Sequence, residues 1–118
     1  MGDIDSCALG GAPVDVLSRV AGFGRPVWIT ELDHAAGSEA SVGGEAAQTA
    51  YLNSTLTHLE ALAAQAPYEL LDAVFVYELL DESQLAPSGE TYYGLASADQ
   101  GGAIRRKPAF GAVREVFR

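Results

Sequence analysis

Two short, almost unbroken apolar runs, PVWITEL at 26–32 and LDAVFVYELL at 71–80, flank a segment of helical periodicity, and this arrangement restricts the fold more than any other feature of the chain. Both runs have strand length and are rich in β-branched and aromatic residues. A half-solvated antiparallel strand alternates apolar with polar residues, whereas a parallel strand beneath helices is apolar on both faces. The runs therefore predict parallel strands. Between them, from Glu45 to about Ala66, Leu52, Leu56, Leu59 and Ala63 mark one apolar helical stripe, with Gln48, Asn53, Thr57 and Glu60 expected elsewhere on the helix and Pro67 ending it. A first helix is predicted from Pro13, where Val14, Leu17, Val20 and Ala21 recur at helical spacing before Gly22 and Gly24. A last one follows Pro108, with Phe110, Val113, Val116 and Phe117 on one face. Helix, strand, helix, strand, helix is the order of βα units with right-handed crossovers.

The predicted class is α/β, with the whole chain 1–118 read as one unit. Two parallel strands do not make a self-sufficient sheet, because each edge needs a neighbour and each face needs cover. Those neighbours come either from the rest of a longer protein or from other copies of the chain. The expectation from the residues is two βα units preceded by a helix, with their sheet completed by further strands.

Composition narrows the function classes. A formal charge of −9 leaves Arg105-Arg106-Lys107 as the only basic cluster, so nucleic acid is not expected as a partner. An acidic surface is compatible with a neutral polyol. One cysteine, Cys7, excludes an intrachain disulfide and a Cys-rich zinc site. The two histidines, His34 and His58, lack metal-ligand spacing, so no metal and no cofactor are expected. No apolar run approaches the roughly 20 residues that span a bilayer, and MGDIDSCALGG lacks the pattern of a secretory signal, so no membrane partner is expected.

Within 26–32, period-two alternation expects Val27, Ile29 and Glu31 on one face and Trp28, Thr30 and Leu32 on the other. Glu31 is an acid at the C-terminal end of an apolar parallel strand, where barrel enzymes place catalytic groups, and also where a strand meets solvent. Residue type alone leaves both readings open.

The blocks GRPVWITEL, AAQTAYLNSTLTHLEAL, AVFVYELLDE, YYGLASAD and KPAFGAV, in this order over roughly residues 13 to 118, resemble the last two βα units of clan A glycoside hydrolases, near families 5 and 39. The resemblance implies that Glu31 matches the catalytic nucleophile at the end of strand seven and that Tyr77 or Phe75 matches the aromatic floor of the sugar subsite on strand eight, where the family more commonly has Trp. A retaining glycosidase pairs its nucleophile with an acid/base carboxylate about 5 Å away. The family supplies that acid from an Asn-Glu pair ending strand four. This sequence has no Asn-Glu dipeptide, and its only asparagine, Asn53, falls within the central helix.

The resemblance thus implies a partial TIM barrel, two βα units preceded by a helix and completed by oligomerisation, a carbohydrate partner, and a glycosidase fragment with the nucleophile but no acid/base partner, and hence little or no activity alone. An oligomer-assembled enzyme, or a non-catalytic carbohydrate- or protein-binding module, are the alternatives. Further candidates for substrate binding are His34, Tyr93, Asp81 and Glu82. Each has a bland counterpart: an exposed loop histidine, loop packing on the rim, and a solvated acidic loop.

Overall fold

The computed structural model describes residues 6–9, 12–36, 43–82 and 89–118. It is a mixed helix and strand structure centred on a parallel two-stranded sheet. In chain order the elements are β1 (Ser6–Leu9), β2 (Ala12–Asp15), α1 (Val16–Ala21), β3 (Val27–Leu32), α2 (Gly44–Ala63), β4 (Leu71–Val76), β5 (Ala96–Ala98), β6 (Ile104–Arg106) and α3 (Pro108–Val116). β3 and β4 run parallel, with α2 as their crossover. The predicted order of helices and parallel strands is present.

The N-terminal expectation needs correcting. Pro13 does not open a helix. It lies in β2, which pairs antiparallel with β1 in the register Ala8↔Pro13, and the helix begins only at Val16. A two-stranded hairpin is all edge, and an edge strand tolerates a residue that donates no ladder hydrogen bond. A second hairpin, β5 with β6, lies in the stretch after β4 where the sequence reading placed no strand. Asp99 builds its turn: Oδ1 accepts from the amides of Gly101 and Ala103, and the Asp99 carbonyl accepts from Gly102, whose φ of 82° suits glycine.

The core lies on one face of the sheet. Leu52, Leu56 and Leu59 of α2 and Ala109 and Val113 of α3 are buried there with Leu17, Leu32 and Leu95, and Ile29, Leu71, Val74 and Val76 pack against them. The predicted stripe of α2 is thus the buried face. Phe117, expected on the apolar face of the last helix, is exposed.

Strict alternation fails at two places in the sheet, with a consequence for Glu31. Register irregularities fall between Val27 and Trp28 and between Ile29 and Leu32, while Trp28 pairs with Ala73, Ile29 with Val74, and Leu32 with Val76. Ile29 and Leu32, three residues apart, therefore both reach the core. An extra residue in one strand produces this shift, and it turns the side chains beside it. Glu31 does not share a face with Ile29, as simple alternation expects. It is exposed together with Trp28 and Thr30.

Trp28 is 59% exposed and Phe75 50% exposed, their rings 5.9 Å apart, and Trp28 Nε1 donates to Asp72 Oδ2 at 3.0 Å. Helices thus cover one side of the sheet, and these aromatic side chains are open to solvent. An apolar groove of about 410 Å³ also runs between α2, β4 and the end of α3, lined by Leu56, Leu59, Leu71, Val74, Val116 and Phe117. The radius of gyration, 15.8 Å, exceeds the roughly 13 Å of a compact chain of this length.

Candidate functional site

β3 and β4 end side by side, and the ladder continues one step past β4: the amide of Tyr77 donates to the carbonyl of Leu32 at 2.9 Å. This bond sets Tyr77 beside the end of β3, one residue along from Glu31. The Tyr93 ring comes from the turn after β4, its centroid 6.1 Å from that of Tyr77. Backbone bonds tie that turn down, the amide of Glu78 donating to the carbonyl of Tyr93 and the amide of Leu95 to the carbonyl of Glu78. Tyr77 and Glu78 are joined by a cis peptide.

The electrostatics match this crowding. Burial raises the Tyr77 phenol above its ordinary value, and the charges of Glu78 and Glu82, a hydrogen bond to Glu78 and the charge of Glu31 push it further the same way. The Glu78 carboxyl is also raised, first by burial and then by the charge of Glu82, with a smaller push from Asp81, against the opposing hydrogen bond from Tyr77. Glu78 Oε1 is buried with no hydrogen-bond partner.

A carboxyl whose value is raised in the folded state binds more protons there than in the unfolded chain, so stability falls as pH rises from the ordinary glutamate value to the raised one. Glu78→Gln is expected to remove that slope and to raise stability at neutral pH. Urea unfolding of both proteins between about pH 4 and 8 measures it, and parallel profiles would refute the assignment.

The predicted residues divide. Glu31, Tyr77, Tyr93 and Glu82 share the end of the sheet, with Glu31 and Glu82 both acting on the Tyr77 phenol. His34 packs on α2. Its ring lies 4.8 Å from that of Tyr51 on α2, and its Nδ1 is 3.0 Å from the Ala35 carbonyl, so it is half-buried against the helix and not an exposed loop histidine. Nor is Asp81 solvated. Its Oδ1 accepts from Lys107 Nζ at 2.7 Å and from the Gly94 amide at 2.9 Å, and its side chain is only 11% exposed against 2% for Lys107. Asp81 therefore clamps the turn after β4 to the start of α3. Phe75 lies a further step back along β4, against Trp28. Among the described residues no group of His, Cys, Asp and Glu is arranged to hold a metal, and no helix is long and apolar enough to cross a membrane.

Sequence reasoning missed four supporting residues. Gln48 was expected off the apolar stripe of α2, yet it is 0% exposed, with Nε2 donating to the carbonyls of Tyr93 and Gly94. A signal was available, since Gln48 lies four residues before Leu52 and so falls on the apolar stripe. Gly94 passes so close to β4's exit that a Cβ would lie 2.2 Å from the Asp81 amide nitrogen. Lys107 looks like its neighbours Arg105 and Arg106 in sequence, and only its burial separates it. Glu78 carries no local mark at all.

Together Gln48, Asp81, Gly94 and Lys107 form a polar framework beneath the Tyr93 turn, which holds that ring against Tyr77. What the sheet end offers chemically is an exposed carboxylate, Glu31, beside a phenol and a second aromatic face. Comparison with family models, with curated proteins and with solved structures finds no match for this chain.

Proposed function

We propose that this chain carries the nucleophile half of a retaining glycosidase site on two βα units of a (β/α)8 barrel, and that it hydrolyses glycosides poorly or not at all without further strands. The observation supporting this most directly is the position of Glu31: exposed at the C-terminal end of a parallel strand, beside Tyr77 at the end of the next one. Such enzymes assemble their sites at that end. In the proposed reaction a Glu31 oxygen attacks the anomeric carbon and forms a glycosyl ester as the bond to the leaving oxygen breaks. Tyr77 and Tyr93 present ring faces to the sugar. An ordinary leaving group needs a proton from a second carboxyl, which the strand-four segment of the resembled family provides and this sequence lacks.

A leaving group that departs as a stable anion dispenses with that acid and so isolates the Glu31 step. With a panel of 2,4-dinitrophenyl glycosides, the chain is expected to release dinitrophenolate and gain one sugar mass at Glu31, seen by intact and peptide mass spectrometry, while unactivated glycosides stay intact. Glu31→Gln should form no adduct. An adduct at another residue, or equal labelling of the variant, would refute the assignment.

A second reading, that further copies of this chain supply the missing strands, draws on the two-strand sheet with its exposed Trp28 and Phe75. Identical chains usually close by rotational symmetry, and four copies would contribute eight strands. Light scattering distinguishes the cases: a defined even-numbered oligomer supports assembly from copies, and a monomer removes it. A chain that binds sugars without forming the adduct would instead be a binding module.

A further inference from the structure

The cations of this acidic chain are not spread evenly. Of its seven lysine and arginine residues, Arg105, Arg106, Lys107 and Arg114 line a single open cavity of about 520 Å³ at the start of α3, together with Glu45 and Phe110. Two of the four charges are already matched. Arg105 pairs with Glu45, and the buried Lys107 ammonium is directed to Asp81. Arg106 and Arg114 supply the cavity's remaining positive charge. Arg114 has its own neighbour Glu115 only at 4.0 Å, with both side chains mostly exposed.

Arg106 stacks on a ring, and Arg114 lies one helical turn beyond that ring's residue. Phe110 and Arg114 are four residues apart on α3 and so share a helix face. Arg106 approaches from the end of β6, its guanidinium carbon 4.7 Å from the Phe110 ring centroid. Stacking on an aromatic face restrains a guanidinium while leaving its edge N–H groups able to donate. Two guanidinium groups on one cavity attract an anion, and the guanidinium fork matches two oxygens of a phosphate or sulfate.

We propose that this cavity binds a small oxyanion ester, a phosphate or sulfate group held by Arg106 and Arg114 with its carbon skeleton against Phe110. The net charge selects for size. A polyanion would extend over surface where the chain's −9 repels it, whereas a small ester feels chiefly the charges within about 10 Å, the screening length near 0.1 M salt. The site is separate from Glu31, and the proposal does not rest on the glycosidase reading.

The test is a titration of the chain, followed by amide NMR, with inorganic phosphate, inorganic sulfate and glucose 6-phosphate, against glucose and against sodium chloride at matched ionic strength. Saturable shifts are expected at Arg106, Phe110, Gly111 and Arg114, larger and at lower concentration for glucose 6-phosphate than for either inorganic ion. In the double variant Arg106→Gln, Arg114→Gln the affinity should fall at least about tenfold, the equivalent of one charge-assisted hydrogen bond. Both arginines are exposed, so the rest of the spectrum should not change. Shifts reproduced by sodium chloride, equal binding of glucose, or an unaltered affinity in the double variant would overturn the proposal.

Discussion

Lys107→Met is expected to destabilise the fold by about 3–5 kcal/mol, the usual consequence of removing one member of a buried ion pair. Methionine fills similar volume, so the loss is electrostatic: Asp81 Oδ1 keeps the Gly94 amide but loses the ammonium at 2.7 Å, in a place nearly closed to water. The Tyr92 carbonyl, 3.4 Å from Lys107 Nζ, loses its contact as well. Asp81→Leu added to Lys107→Met should recover part of the loss, because the uncompensated carboxylate goes with it. Urea unfolding of the two single variants and the double measures this coupling. The effect should survive high salt, in contrast to the exposed Arg105–Glu45 pair, since screening reaches buried charges weakly. A loss under about 1 kcal/mol would mean that the pair behaves as a surface bridge.

Gly94→Ala is the second large effect. A β-carbon there would lie 2.2 Å from the Asp81 amide nitrogen and 2.6 Å from both the Ala96 carbonyl oxygen and the Leu80 carbonyl carbon. All three are backbone atoms, so relief requires moving the chain rather than turning a side chain. Their hydrogen bonds are disturbed at the same time: the Asp81 amide donates to the Ala96 carbonyl, and the Ala96 amide donates to the Leu79 carbonyl. Destabilisation of about 3 kcal/mol or more is expected, a large part of the total for a domain of this size. Gly111→Ala is the control. Its β-carbon meets nothing within 4 Å inside α3, and alanine there should stabilise by about 0.5–1 kcal/mol through helix preference alone. Thermal melts of the two variants should therefore move in opposite directions.

Both predictions concern one polar framework, and it bears on function through the Tyr93 turn. Gln48 holds the carbonyls of Tyr93 and Gly94, while Asp81 and Lys107 hold the Gly94 amide and α3. If the sheet end acts on sugars, loosening this framework weakens the aromatic face opposite Tyr77 without touching Glu31.

Several features were legible because they are periodic or local. The stripe Leu52, Leu56, Leu59 identified the buried face of α2, since helical spacing stacks such residues whatever lies opposite. Runs apolar on both faces identified β3 and β4, and their type implied parallel pairing. Pro13 misled because a proline suits both a helix start and an edge strand, and only the partner strand decides which. The end of β3 misled for a related reason. Period two holds for a regular ladder, but an irregularity depends on how two strands, 44 residues apart in sequence at Trp28 and Asp72, fit together.

The order of the parallel strands and the helices around them, the apolar face of the main helix and the acid at the strand tip were determined by the sequence alone, because each follows from neighbouring residues and the geometry of one element. The face on which Glu31 emerges, the burial of Gln48 and the pairing of Lys107 with Asp81 were decided by the tertiary structure. Those outcomes depend on which distant groups share a space closed to water, and a charge or an amide has the same local signature whether it ends in solvent or against a buried partner.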